Sequence, residues 1–558
     1  MTNYEIADNF TMLSKLMDIH GENSFKSKSY ASAAFAIEKI SLELSEMPAE
    51  KIAGIKGIGA SSAQKIIELL QNGRLKTLDD LVLITPPGVV EMLNIKGIGP
   101  KKIHTIWKEM EIETIGELLY ACKENRLKLY KGFGEKTQEN VIEKIEFYLK
   151  NMGSHLYVNA EKIATQTENF LVKLFTGKKV FTTGHFKRQT ETMDELEFVI
   201  EADENSIENI LKNTEGFSLK EKTTEHLVYK TSIGIDIKLH TANKENIIKK
   251  LIETSSSEAF VKAFFDTGIN LNNHPDEATL FSTAGLAFIP AHLRENEGII
   301  SMAKNGSLPD FIKEGDLKGI IHCHSNWSDG SNTIEEMAQA AMKRGMEYLV
   351  MSDHSKSAFY AQGLNEDKIK EQHHYIDELN DKLSPFKIFK SIESDILNDG
   401  NLDYSNAVLS TFDLVIASVH SNLKMTEEKA MMRLIKAIEN PYTTILGHMT
   451  GRLLLSRPGY PVNHKLIIDA CAANQVVIEL NAHPSRLDID WRHIEYALQK
   501  NVLISIDPDS HFTDGLDDIK YGILVAQKAL LPKEKNLSSF NLQAFEKYIS
   551  ERKRAKNI

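Results

Sequence analysis

The sequence predicts a multidomain protein in three parts: an α-helical N-terminal region, a central α/β domain and a C-terminal barrel of parallel strands. Three observations predict it. A Lys-Gly-x-Gly turn recurs at 56–59, 96–99 and 131–134, each time followed by apolar residues at helical spacing. Strand-like segments with helical stretches between them appear from about residue 155. Beyond residue 320 such segments alternate regularly with helices and end repeatedly on histidine or an acid.

Composition bounds the answer. At roughly 150 residues per domain, 558 residues make three to four domains. Hydrophobic residues at 42% and charged residues at 26% exclude wholesale disorder. No apolar run approaches the ~18 residues of a membrane span. MTNYEIADNF has no basic segment ahead of an apolar one, so no secretory signal is expected. Cys122, Cys323 and Cys471 are far apart and form no CxxC, which excludes a disulfide framework. A cytoplasmic, membrane-free protein is expected.

The net charge of −12 argues against coating nucleic acid by bulk electrostatics, but local clusters matter more. Residues 51–102 hold eight Lys/Arg against four Asp/Glu. They also hold the first of three repeats, IAGIKGIGASSAQKIIELL (52–70), and the turn of the second, LNIKGIGPKKIHTIWKEM (93–110); LYKGFGEKTQENVIEKI (129–145) is the third. Each reads as a helix–hairpin–helix. Glycine permits the positive φ of the turn, and the following helix offers its first amides to a phosphate. Gly57, Gly59, Gly97 and Gly99, with Lys65, Lys101, Lys102 and Lys136, are the expected DNA-backbone contacts. Such contacts position without reading bases. A helical connector with glycine caps is the plainer reading of one copy; three copies favour DNA.

In the central part, KKVFTTG, LEFVIEAD, HLVYKTS and GIDIKLH read as strands. Residues 241–300 return to helix and loop, and NGSLPDFIKEGDLKG (305–319) reads as a linker region. GIIHCH, EYLVMSDH, DLVIASVH, TTILGH, VVIEL and VLISID then give six or seven βα units, whose site belongs at the C-terminal strand ends.

Those ends carry His322 and His324 with Asp329, Asp353 and His354, Glu393 and Asp395, His420, His448, and Asp509 with His511. On a strand, residues i and i+2 share a face, so His322 and His324 can reach one ion, as can Asp509 and His511. One histidine after a strand is ordinarily a satisfied polar residue. Six such ends together point to a shared metal centre. Imidazole mixed with carboxylate suits Zn, Mn or Fe, and so many ligands require several ions. Clustered ions suit phosphoester hydrolysis, by lowering the pKa of a water and holding the phosphate.

HxH with SDG, SDHS, the ExD segment, SVHS, GHMTGRLLLSRPGY, ELNAHPSRLDIDW and the closing DxH resemble the polymerase and histidinol phosphatase (PHP) domain, in the form fused to bacterial family X DNA polymerases. The resemblance implies three divalent metals held by His322, His324, Asp329, His354, Glu393, His420, His448, Asp509 and His511. SIDPDSH departs from the family's usual Asn-Thr before the Asp. Arg457, Tyr460 and Arg486 fall in family segments near the site; the two arginines are phosphate-binding candidates, and a structural role for them stands equal.

GENSFKSKSYASAAFAIEKI resembles the opening of the family's small N-terminal domain, and FIPAHLRENEG (288–298) its thumb. The implied fold is α-helical helix–hairpin–helix domains, an α/β nucleotidyltransferase-like palm with thumb, and a distorted (β/α)7-like PHP barrel. The implied segmentation is 1–78, 79–150 (fingers-like), 151–240 (palm), 241–302 (thumb), 303–316 (linker) and 317–558 (PHP).

The palm departs from its family. TTGHFKRQTETMDELEFVIEAD keeps the nucleotide-binding Gly184 and Arg188, but His185 replaces a serine, and Glu195 and Glu197 replace two metal-binding aspartates; Asp236 matches the third carboxylate. Mg²⁺ demands near-ideal octahedral geometry, and a Glu shifts its carboxylate by about 1 Å, a displacement that can cost about a hundredfold. The family's Thr-Gly-Ser segment reads TSSSE (254–258). An impaired polymerase site is therefore expected. Lys65 matches the Schiff-base lysine of lyase-active relatives, with Lys26 and Tyr30 at 5′-phosphate positions; a solvated helix lysine is the plainer reading of Lys65.

The expected function is a DNA-repair protein whose PHP domain trims DNA 3′ ends by metal-dependent phosphodiester hydrolysis. Its expected partner is gapped, nicked or 3′-ended DNA, bound without sequence preference by a nucleoid-associated monomer. The alternatives are a gap-filling polymerase using dNTP with Mg or Mn on Glu195, Glu197 and Asp236, a non-catalytic DNA-end-binding platform, and a small-monoester phosphatase. The helix–hairpin–helix repeats speak against the last.

Overall fold

The computed structural model describes residues 1–558 except 38, 39, 41, 42, 56, 96 and 150–152. The chain divides into two compact units, one of residues 1–123 and 127–148, the other of 124–126 and 149–558. Among the described residues no helix is long and apolar enough to cross a membrane.

The first unit is helical. α1 (Asn3–Ile19) starts on a capping box in which the Glu5 N–H donates to Thr2 Oγ1 at 3.2 Å and the Thr2 N–H donates to Glu5 at 2.7 Å. It buries Ile6, Phe10, Leu13 and Met17 along one stripe, packed on α2 (Ser24–Ile37) through a Phe10–Tyr30 edge contact at 5.8 Å. The three glycine turns follow. Gly57, Gly97 and Gly132 take φ of 95°, 95° and 93°, a region that penalises any side chain. Gly59 and Gly99 then cap α3 (Ala60–Asn72) and α4 (Pro100–His104), and the third turn leads into α5 (Glu135–Leu149). Lys56 and Lys96, which open two of the turns, lie outside the described residues.

In the second unit the palm is a five-stranded sheet. β1 (Val180–Thr183), β2 (Glu195–Ile200), β3 (Phe217–Lys222), β4 (His226–Thr231) and β5 (Asp236–Thr241) lie in the order β1-β2-β5-β4-β3. Only β2 and β5 pair in parallel, setting Glu195 opposite Asp236 and Glu197 opposite Lys238. β3 is a strand of this sheet that the sequence patterning does not predict. It is an exposed edge rich in charge, Phe-Ser-Leu-Lys-Glu-Lys, with no buried face to impose alternation. A separate core of Phe260, Phe264, Leu280, Phe281 and Ile289 holds the thumb region.

The barrel follows. β6 (Gly319–Cys323), β7 (Tyr348–Met351), β8 (Lys387–Asp395), β9 (Leu414–Ser418), β10 (Thr443–Leu446), β11 (Val477–Asn481) and β12 (Ile504–Asp507) form one parallel sheet in chain order. A parallel bridge between Cys323 and Ser510, with the His324 N–H donating to the Ser510 carbonyl at 2.8 Å, brings the last segment onto the first. Successive strand residues face opposite ways: Leu349 and Met351 join the helix-packed outer core, while Tyr348 and Val350 join an inner cluster with Phe389, Ile416 and Phe545. Gly319 is required here, because a Cβ would lie 2.0 Å from the Tyr348 ring. Phe545, on the C-terminal helix Leu542–Lys556, stacks on Tyr348 at 4.4 Å. Glu347 and Lys387, at the start of β7 and β8, bond the same helix through Leu542 and Glu546, so it floors the N-terminal end of the barrel. The C-terminal end is left for chemistry.

Candidate metal centre

All nine residues expected to bind metal meet at that C-terminal end. Glu393, at the end of β8, sits at the middle: His322 Nε2 is 3.3 Å away, His354 Nδ1 2.9 Å, His420 Nε2 3.0 Å and His448 Nε2 3.0 Å. Asp509 lies 3.1 Å from His324 and 3.4 Å from His322. Asp329 lies 3.5 Å from His354 and 3.4 Å from His511. Three groups bring their ligand atoms within 4.8 Å of one another: His324, Asp329, His354 and His511; His322, His324 and Asp509; His354, Glu393 and His420.

The local backbone differs from the simple strand expected for the HxH pair. β6 carries a register shift between Ile320 and Cys323, and His322 there takes φ 60°. Asp509 lies beyond the end of β12 with φ 52°. Two non-glycine residues in the left-handed region, both aimed into one cluster, are strain of the kind that concentrates at functional sites. A bulge and a loop, rather than strand alternation, aim these side chains.

The donor set fits divalent ions. His322 Nε2, His511 Nε2, Asp329 Oδ2 and Glu393 Oε2 are buried with no hydrogen-bond partner among the described residues. Burial, reinforced by the neighbouring His511 and His354, lowers His324 to about 3, so its imidazole is neutral and ready to donate a lone pair. Burial would also lower His322, His420 and His511, but the surrounding acids override it and raise all three, His420 to about 10. With six imidazoles matched to three carboxylates, the site suits first-row ions better than an all-oxygen cage would.

A second layer of acids orients the histidines. Asp395 accepts from His420 Nδ1 at 2.5 Å. Glu479, on β11, accepts from His322 Nδ1 with one oxygen and from the His448 N–H with the other. Asn481 donates to Glu479 at 3.2 Å and to Asp509 at 3.0 Å. Glu479 and Asn481 escaped the sequence reading, although a glutamate inside the apolar run VVIEL is a signal that could have found them. Asp353 does not join the cluster. It accepts from Ser325, Ser328 and Gln372, holding the loop that carries Asp329, and burial raises its pKa. Arg486 reaches the cluster, its Nε 3.8 Å from Asp509, whereas Arg457 donates to the Gly451 carbonyl at 3.0 Å and 2.8 Å.

The palm carboxylates are each paired with a lysine or histidine of the chain. Lys238 bonds Glu195 at 3.0 Å, Lys220 bonds Asp236 at 2.7 Å, and Glu197 bonds His240 at 2.9 Å with His185 at 3.4 Å. Burial would raise Glu197, but the His185 and His240 contacts outweigh it and hold the carboxyl far below its usual range. Its carboxylate also lies against Gly184, where a Cβ would come within 1.9 Å of Oε1. Arg188 bonds Glu295, which Lys528 also engages. In the helical unit, the backbone in front of Gly59, Gly97 and Gly99 is open, with nothing within 4 Å of a Cβ placed there. Lys101 is exposed and Lys102 half-buried. Lys65 donates to Thr77 at 2.8 Å and pairs with Glu68 at 3.6 Å, and Tyr30 is buried; neither presents the open phosphate or sugar contact expected of a lyase site.

Comparison with known proteins finds relatives for the helical segments and for the barrel. A helix-hairpin-helix domain family matches residues 1–75, a SAM-like helix-hairpin-helix tandem matches 89–146, and the PHP domain family matches 321–483. A Bacillus subtilis (strain 168) protein named "DNA polymerase/3'-5' exonuclease PolX" is 31% identical over 555 residues, covering 96% of each chain. A "Probable phosphatase" of Thermoanaerobacter sp. (strain X514) is 25% identical over 254 residues, 43% of this chain and 97% of its own. Another of Acetivibrio thermocellus is 26% identical over 253 residues, 42% of this chain and 98% of its own. The phosphatase-like relatives are thus similar to less than half of the chain, while the full-length relative carries the helical and palm regions as well. The chain belongs to the bacterial family X DNA polymerases that end in a PHP hydrolase domain.

Proposed function

We propose that this protein trims DNA 3′ ends by metal-dependent phosphodiester hydrolysis in its PHP domain, with His322, His324, Asp329, His354, Glu393, His420, His448, Asp509 and His511 holding three ions of Zn, Mn or Fe. The observation that carries this reading is the convergence of all nine side chains, buried or nearly so, at one end of one barrel. Divalent ions held there lower the pKa of a water and offset charge on the phosphate. The chain's own residues supply orientation. Glu479 and Asp395 fix which nitrogen of His322 and His420 faces inward, and Asp353 braces the Asp329 loop. Arg486 is the candidate for a phosphate oxygen.

DNA as the substrate rests on the helix–hairpin–helix turns and on the name of the full-length relative. Gapped, nicked or 3′-ended DNA gripped through its backbone is the expected ligand. The test is nuclease assay of end-labelled gapped DNA with wild type and His322→Ala. Loss of at least a hundredfold is expected; equal rates would leave a DNA-end-binding platform.

The same reading makes the palm a DNA-gripping scaffold with impaired nucleotidyl transfer. The in-chain pairing of Glu195, Asp236 and Glu197 supports it, since a Mg²⁺ ion would have to displace Lys238, Lys220 and His240. Primer extension in Mg²⁺ or Mn²⁺ should be absent. Mn²⁺-dependent extension abolished by Glu195→Ala would restore the gap-filling alternative.

A further inference from the structure

His511 has a partner that does not come from the barrel. Its Nδ1 lies 2.7 Å from Glu124 Oε2 and 3.1 Å from the Asp509 carbonyl oxygen, and the His511 and Glu124 side chains are almost fully buried, at 2% and 6% exposure. The other nitrogen, Nε2, faces Asp329 at 3.4 Å, and the ring stacks on His324 at 4.2 Å. The neighbouring residue is fastened as well: Asn125 Nδ2 donates to Ser331 Oγ at 2.7 Å, and the Ser331 N–H donates to the His511 carbonyl at 2.7 Å. Glu124–Arg126 accordingly fold with the larger unit, although in sequence they lie between the second and third glycine turns.

We infer that Glu124 is a positioning residue of the metal centre: together with the Asp509 carbonyl it accepts from His511 Nδ1, and so turns Nε2 of that ring toward Asp329 and the ion they share. This rests on the metal-centre reading above. It repeats for His511 the arrangement that Asp395 makes with His420 and Glu479 with His322. A ligand imidazole gains basicity and a fixed tautomer from such a carboxylate. Here the carboxylate is encoded far upstream of the barrel strands, in a three-residue segment that folds with the larger unit.

The experiment compares full-length wild type, Glu124→Ala, Glu124→Gln and His322→Ala in two readouts, Mn²⁺ or Zn²⁺ affinity by chelator competition and nuclease rate at limiting and saturating Mn²⁺. Glu124→Ala should lose about 10- to 100-fold in metal affinity or rate. Saturating Mn²⁺ should recover part of the rate, a recovery that a general packing defect does not give. Glu124→Gln keeps the size and an acceptor oxygen, and should fall between. Wild-type affinity and rate in Glu124→Ala, with His322→Ala inactive, would overturn this role alone; should the alanine variant not fold, the same result in Glu124→Gln overturns it. A fully active His322→Ala would overturn the metal-centre reading and this inference with it.

Discussion

Glu479 accepts a hydrogen bond from His322 Nδ1, joining the glutamate in the middle of β11 to a histidine held at φ 60° in the bulge of β6. The same carboxylate takes the His448 N–H at 2.5 Å, so one buried side chain steadies two elements of the centre. Glu479→Ala should lower nuclease rate or metal affinity by about 10- to 100-fold. Glu479→Gln should retain more of both. Metal titration followed by nuclease assay of the two variants checks this.

Removing the ions should cost stability as well as activity. Ligands that bind only the folded state stabilise it by about 2.7 kcal/mol at a hundred times the dissociation constant. Chelator should therefore lower the thermal midpoint of wild type and leave that of His322→Ala, already depleted, nearly unchanged. Calorimetry with and without chelator makes the comparison.

Glu197 is expected to act as a structural carboxylate. Glu197→Ala leaves His240 buried without its acid, at a cost of about 1–3 kcal/mol. Nuclease activity per folded molecule should be unaffected. Urea denaturation and nuclease assay separate the two effects, and a lost nuclease with unchanged stability would refute the assignment.

His292 sets an acid limit. Burial, with help from Lys528 and Arg294, lowers its pKa to about 4. The unfolded chain, with a histidine near 6.5, binds more protons in the interval between these values. Stability therefore rises with pH there, and the His292 share is lost as pH falls from about 6.5 toward 4. His292→Asn should flatten the denaturation midpoint measured across pH 7 to 5.

On the DNA side, Lys101→Ala should weaken binding about equally for all sequences and reduce the salt dependence by about one charge. Binding isotherms at several salt concentrations, on two unrelated duplexes, give the slope.

Much of this architecture is legible in the chain because barrel chemistry has a fixed address. Side chains at the ends of parallel strands must converge, so His354, His420 and His448 announce a site as soon as their strands are recognised. Glu393 is legible for the same reason, although Lys387–Asp395 is the least apolar of the barrel strands. The exposed edge strand Phe217–Lys222 has no burial pattern to betray it. The left-handed backbone at His322 and Asp509 is encoded by no local spacing. Glu124 was out of reach altogether. An acid within KENRLK looks solvated, and only tertiary structure sets it against His511.

The seam between Cys323 and Ser510 has a consequence for activity. Because donors from the first barrel strand and from just past the last must coexist, a chain in which the Ser510 segment has come away from Cys323 holds only part of the ion cage. Hydrolysis at this site is therefore tied to the ring being shut, and opening the seam by mutation should silence it without touching a single ligand.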